Sequence, residues 1–360
     1  MVMTSPTARR ILAPLAAVAV AFGGLALIDH LPAPASAVSQ AIHASAVLPD
    51  ALAPERPAPE GRTPASRTDG IDHQAGAVTG EQRTAVLDYW TSDRMAAAQP
   101  ITSLVESTLG LADPLKQSTD IQPQASSPNS DGARWNDGGK VTETTGKVYL
   151  TMDGKDFTCS ASVVDSANKS TLVTAGHCAK DGKGSWAQNW TFVPGYSSGD
   201  SPHGKFTARD LMVAPQWSNR ADDSYDFAMV VLNEDGGTPV QDRVGAQKLS
   251  FSTWTDQNVN NGLQVYTFGY PAASPFNGRE LHYCSGRTVP DTGGTTANGV
   301  RCTMTQGSSG GPWFTDFDPA TGEGTISSVV SFKYADDRST QYGPRLGAEA
   351  KRLYDHAAQL

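Results

Sequence analysis

The sequence predicts an all-β domain, a β-barrel or sandwich, over residues 136–360. Short runs rich in branched and aromatic residues recur there between Gly, Asp and Asn turns. Helical periodicity surfaces clearly only once, at the C-terminal end, and neither a βαβ alternation nor a repeat of fixed period is present. The strand candidates are 147–152, 159–164, 170–175, 190–193, 205–213, 227–232, 263–268, 280–284, 300–304, 312–314 and 325–333. The run 227–232 is apolar throughout, as a strand buried on both faces requires. After Gly343-Pro344, the apolar residues Leu346, Ala350, Leu353, Ala357 and Leu360 recur at helical spacing and predict a terminal helix with one buried face.

The N-terminal third differs in character. Arg9-Arg10, an apolar stretch at 11–27 and the small-residue site Ala35-Ser36-Ala37 read as a signal peptide at 1–37, removed before Val38. The alternative is an uncleaved anchor, but the apolar stretch is at the short limit for a span. Export implies an oxidising environment, in which the four cysteines form two disulfides and the protein is secreted, extracellular. Residues 38–135 contain no Cys and are Ala-, Pro- and Gly-rich up to residue 80, a composition that cannot bury enough apolar surface to fold. An apolar island at 81–100 (Val86, Leu87, Tyr89, Trp90, Met95) predicts two short helices, the second entered at Thr91 or Ser92, and a second island follows at 101–115. The stretch reads as a mostly disordered pro-region with short helical segments that dock on the following domain; a plain stalk is the alternative.

The chain of 360 residues has 28 Lys and Arg against 37 Asp and Glu, a net charge of −9. No clustered positive field is visible, which excludes a general nucleic-acid binder. The one long apolar run is N-terminal, so no membrane association is expected once it is removed.

Three motifs carry chemistry. In Leu172-Val173-Thr174-Ala175-Gly176-His177-Cys178, an apolar strand ends in small residues and presents an imidazole beside a cysteine, which suits a fixed general base. Asp226 immediately precedes the apolar run 227–232; a carboxylate there is costly to bury unless hydrogen-bonded, and an imidazole N–H is a good partner that fixes the His tautomer. Asp222 and Asp223 read as turn residues. In Gln306-Gly307-Ser308-Ser309-Gly310-Gly311-Pro312-Trp313, small residues around a Ser let backbone N–H groups reach a substrate carbonyl oxygen.

Thr174-Ala175-Gly176-His177-Cys178, Asp226-Phe227-Ala228 and Gly307-Ser308-Ser309-Gly310-Gly311-Pro312 resemble the signature blocks of chymotrypsin-like (trypsin-family) serine proteases, in that family's His…Asp…Ser order. The nearest resemblance is to secreted bacterial trypsin-like and glutamyl-endopeptidase-like members, over 136–360. It implies a chymotrypsin-like double β-barrel, two perpendicular six-stranded barrels with the site between them, and a serine endopeptidase acting on protein or peptide substrates through an acyl-enzyme. Ser309 then resembles the nucleophile, His177 the base and Asp226 its orienting carboxylate. Gly307 and Ser309 N–H resemble the oxyanion hole. Cys159–Cys178 and Cys284–Cys302 follow as disulfides, with no metal or cofactor and a monomeric enzyme.

The departures concern activation and specificity. Ser308 stands where animal members carry the Asp that pairs with a new N-terminus, so that activation switch is not expected. Thr303 stands where Arg/Lys-cutting members carry Asp, and Ser331-Phe332-Lys333 resembles the pocket wall. Lys333 and Arg301 favour an acidic substrate side chain, whereas Val330 stands where some glutamyl endopeptidases place a His; a small or apolar side chain is the other option. Gly307-Ser308-Ser309-Gly310-Gly311 also fits the nucleophile elbow of serine esterases, whose Ser…Asp…His order is not met. A protease-like binding module without catalysis requires loss of a triad member, and none is lost. No HExxH metal motif occurs.

Overall fold

The computed structural model describes residues 66–68, 70–101, 104–105 and 129–360. The expected signal peptide, 1–37, lies outside the described residues, as does most of the second apolar island. Strands β1 (Ser66–Thr68) and β2 (Ile71–Ala75) form a hairpin. The helices Gly80–Tyr89 and Ser92–Ala97 follow, the first closed by a capping box on Thr79 and the second capped by Thr91. Next come β3 (Gln99–Pro100) and β4 (Leu104–Val105).

Within the described part of this arm, several large apolar residues find a surface on the following domain. Ile71, Trp90 and Ile101 are buried. The Trp90 indole packs on Tyr149 with ring centroids 5.5 Å apart, and its N–H donates to the Asn189 carbonyl. Asp156 accepts from the Tyr89 hydroxyl at 2.6 Å and from Arg94 Nε at 3.0 Å.

Strand β5 (Ser130–Arg134) falls on the pro-region side of a boundary drawn at 136, yet it pairs with the second sheet described below. Its Ser-Asp-Gly-Ala-Arg sequence has no apolar alternation, so pattern alone does not reveal it.

The first barrel is a closed ring of six strands: β6 (Thr145–Met152), β7 (Lys155–Val163), β8 (Thr171–Thr174), β9 (Gln188–Pro194), β10 (Phe206–Val213) and β11 (Ala228–Leu232). The pairings run β6–β7–β8–β11–β10–β9 and back to β6. The closing seam is short, for β9 and β10 pair only through Phe206–Phe192 and Thr207–Thr191. Beyond it, β2 takes up the same edge of β10 over Asp210–Val213. Side chains fill the interior, with Val148, Leu172, Phe192 and Val230 fully buried and Leu211 1% exposed.

The second unit is built from β12 (Lys248–Leu249), β13 (Gln264–Gly269), β14 (His282–Arg287), β15 (Val289–Pro290), β16 (Asn298–Arg301), β17 (Pro312–Asp318), β18 (Glu323–Val329), β19 (Lys333–Tyr334) and β20 (Thr340–Gly343). One six-stranded sheet has the order β12-β18-β17-β13-β14-β5, and a three-stranded sheet has the order β15-β16-β20. The run expected at 325–333 breaks after Val329, and the chain re-forms as β19, which pairs with β4 of the arm. The terminal helix Ala348–Ala357 buries Ala350, Leu353 and Ala357; Leu360, expected on the same stripe, lies past the helix end and is 44% exposed. No described helix is long and apolar enough to cross a membrane.

Candidate active site

His177 lies in a single 3-10 turn, Gly176–Cys178, directly after β8, and Asp226 precedes β11, the neighbour of β8 in the barrel. Register therefore brings the two ends together. Asp226 is 1% exposed and accepts three hydrogen bonds. The backbone N–H of His177 donates to Oδ1 at 2.7 Å, Nδ1 of the same residue meets Oδ2 at 2.8 Å, and the Ser331 hydroxyl also donates to Oδ2. Gly176 makes room for this, since a Cβ there would sit 2.9 Å from Asp226 Oδ1.

Burial works against an imidazolium at His177, but the Asp226 charge and its hydrogen bond outweigh it and hold the imidazole pKa above its ordinary value. The same pairing overcomes burial at Asp226 and holds that carboxyl below the usual range. His177 Nε2 is buried and bonds no other atom among the described residues, which leaves it open to accept a proton. Asp223 stands beside the pair in the adjoining 3-10 turn; burial, then the Asp226 charge, pushes its carboxyl up to about 7.

Ser309 sits in a tight loop locked to the first barrel. The Ser160 N–H donates to the Ser309 carbonyl at 2.7 Å, and Ser160 Oγ donates to the Gly307 carbonyl at 2.9 Å. Ser160 follows Cys159, which is disulfide-bonded to Cys178, so one covalent link and two hydrogen bonds tie the Ser309 loop to the His177 turn. Gly310, at φ +82°, has no room for a side chain, because a Cβ would fall 2.0 Å from Thr174 Oγ1. Gly307 is likewise left-handed, at φ +99°. The N–H groups of Gly307 and Ser309 donate to no acceptor among the described residues, so both are available to an incoming oxygen.

Beside Ser309 opens a cavity of about 450 Å³. Its walls include Thr303, Ser331, Phe332 and Lys333, together with Arg338 and Gln341. All the lining residues come from the second unit. The walls carry two cations and no carboxylate. Lys333 Nζ donates to the carbonyls of Cys302 and Arg338, and burial, only partly offset by the Asp337 charge, lowers its pKa to about 8. Thr303 donates to the Asp131 carbonyl. Arg301 does not reach the cavity: it is exposed and pairs with Asp131 at 3.6 Å. Val330 is buried in the core around the Cys284–Cys302 disulfide.

Sequence reasoning misses Arg338, which lies in a polar loop without any pattern, and the Ser331–Asp226 bond, which joins residues 105 apart. Among the described residues one trio, Cys159, His177 and Cys178, brings potential metal ligands together; both sulfurs are consumed by the disulfide, which leaves no thiolate to bind an ion.

Comparison with known proteins is consistent with this arrangement. The family model described as Trypsin matches residues 137–346. A thermostable serine protease, AL20, from an extremophilic microorganism is 40% identical, with a TM-score of 0.57, over 61% of this chain and 99% of its own. The protease Anisep from Arthrobacter nicotinovorans is also 40% identical, with a TM-score of 0.56, over 61% of this chain and 96% of its own. A Glu endopeptidase shares the fold at 17% identity and a TM-score of 0.50. An extracellular metalloprotease of Bacillus subtilis (strain 168) is 32% identical over 73 residues, which make up only 23% of that protein's length.

Proposed function

The chain belongs to the trypsin family of serine proteases, and from that premise we propose that it is a secreted, monomeric endopeptidase whose triad is Ser309, His177 and Asp226. The observation that carries the reading is the grip of Asp226 on both the backbone and the ring of His177, beside a serine loop with two unused N–H donors.

Asp226 holds the proton of His177 on Nδ1, so Nε2 is the basic nitrogen. Ser309 Oγ attacks the substrate carbonyl carbon while Nε2 takes its proton. The carbonyl π electrons move to oxygen, and the N–H groups of Gly307 and Ser309 stabilise the oxyanion. As the C–N bond breaks, His177 returns the proton to the leaving amine and the acyl group remains on Ser309. Water, deprotonated by the same nitrogen, then releases the acid. The rise in His177 pKa favours the imidazolium of the transition state, and Asp226 stays ionised throughout.

The cavity receives the side chain that precedes the scissile bond. Its cations and lack of a lining carboxylate disfavour Lys and Arg, and the half-buried Lys333 ammonium fits an acidic side chain. The N-terminal region acts as a signal peptide followed by a pro-region that docks on the catalytic domain; the oxidised cysteine pairs support an extracellular site of action.

A fluorophosphonate probe tests the mechanism. One equivalent labels the processed enzyme, and Ser309→Ala abolishes both labelling and peptide hydrolysis; a processed enzyme that does not label refutes it. Intact mass and N-terminal sequencing of the exported protein test the leader, with a start at or beyond Val38 expected.

A further inference from the structure

Resting on the peptidase reading above, we infer that the arm, through residues 99–101 and 104–105, binds the substrate cleft backwards and so holds the unprocessed chain inactive without being cut. Two strand pairings carry this. Strand β3 runs parallel to β7, with Gln99 opposite Phe157 and Pro100 opposite Thr158, and the Ile101 N–H donates to the Thr158 carbonyl at 3.3 Å. Strand β4 runs parallel to β19, with Leu104 opposite Lys333 and Val105 opposite Tyr334. Between Ile101 and Leu104 there are three Cα–Cα steps, a reach of at most ~11 Å. The two anchors are thus close together in the chain, and Ser309 has ties to both sides. On one side Ser160, two residues after Thr158, bonds its carbonyl. On the other, Lys333 lines the cavity with it.

The chemistry of the site sets the direction of a productive peptide. The residue whose carbonyl is attacked places its side chain in the cavity, whose walls come wholly from the second unit. The leaving amine must come within reach of His177, which the first barrel carries next to the Cys159–Cys178 bond. A substrate therefore runs, N to C, from Lys333 toward Thr158. The arm places 99–101 beside Thr158 and 104–105 beside Lys333, so its chain order is the reverse. In this polarity the backbone occupies both cleft edges, but a carbonyl presented to Ser309 has its amine on the cavity side, away from Nε2, so no leaving group is protonated. Such a segment blocks by occupying backbone hydrogen-bonding positions (a polarity effect) and needs no special residue at the scissile position.

The test uses the full-length chain and scores fluorophosphonate labelling on the unprocessed band after gel separation. Full-length protein is expected to label at least ~100-fold more slowly than the variant Leu104→Pro with Val105→Pro, which removes the ladder N–H groups. Ile101→Pro, which removes the donor to Thr158, gives an intermediate rate. Equal, rapid labelling of wild type and variant overturns the inference while leaving the peptidase reading intact. No labelling of either overturns both. Mass spectrometry checks polarity: bonds between 99 and 105 remain whole in the unprocessed chain, and a first-order, dilution-independent cut among them refutes backward binding.

Discussion

Replacing Asp226 by Asn removes one oxygen and one charge from a site where every acceptor is in use. Asn has a single carbonyl oxygen to share between the His177 backbone N–H, now 2.7 Å from Oδ1, and the ring, now 2.8 Å from Oδ2. If the amide nitrogen takes the Oδ1 place, two donors face each other in a buried site, at a cost of about 1–3 kcal/mol. If it takes the Oδ2 place, every bond is satisfied, because the Ser331 hydroxyl turns to accept, but the ring must then accept at Nδ1 and carry its proton on Nε2. The second arrangement is the more stable, and in it His177 cannot take a proton from Ser309. The expected loss in kcat is ~10⁴-fold, about 5.5 kcal/mol of transition-state stabilisation, with little change in melting temperature. Steady-state kinetics on a peptide amide, with thermal unfolding in parallel, measures both. A fall of less than ~30-fold in a normally folded variant would refute the tautomer argument.

Three other outcomes follow from named contacts. Because burial lowers the Lys333 pKa to about 8, its cation is present below that pH and lost as pH rises through it; the kcat/KM ratio for Glu over Gln before the scissile bond should fall above pH 8, and Lys333→Met should make it small and pH-independent. Asp223 titrates at about 7 when folded and in the ordinary carboxylate range when unfolded, so stability is lost as pH rises through that window; urea midpoints of Asp223→Asn should exceed wild type by a margin that grows from pH 5 to pH 8. Trp90→Ala should destabilise the full-length chain by ~3–5 kcal/mol in urea, because it empties a buried site and strips the Asn189 carbonyl of its donor; a loss under ~1 kcal/mol would mean that the arm opens independently of the barrel.

Motifs in which chemistry and backbone coincide are legible in the amino-acid sequence alone. His177, Asp226 and Ser309 stand at strand ends among small residues, and the local sequence carries both the reactive group and the space it needs. Strands whose pattern comes from burial, such as 147–152 and 227–232, are equally visible. Elements stabilised only by partners are not. β5 is polar and exists because β14 offers it an edge, and β4 pairs with residues far downstream. Burial of Trp90 is hidden for the same reason: composition measures a segment's own capacity to fold, whereas this one borrows the surface of a finished barrel. The cavity mixes both cases, for Lys333 lies on the recognisable wall while Arg338 comes from a loop with no signal and Arg301, which resembles a charge determinant, turns outward to Asp131.

The short seam of the first barrel has a consequence for handling the protein. Strand β10 is closed by β9 over two residues, and the rest of that edge, Asp210–Val213, is paired only by β2. Detaching residues 71–77 strips the partner from a row of backbone groups flanked by Leu211, Met212 and Val213, a template for edge-to-edge pairing with a second molecule. An enzyme separated from its arm is therefore expected to associate with rising concentration, so processing that frees the cleft but leaves residues 71–77 on β10 yields a better-behaved product than processing that removes the whole arm.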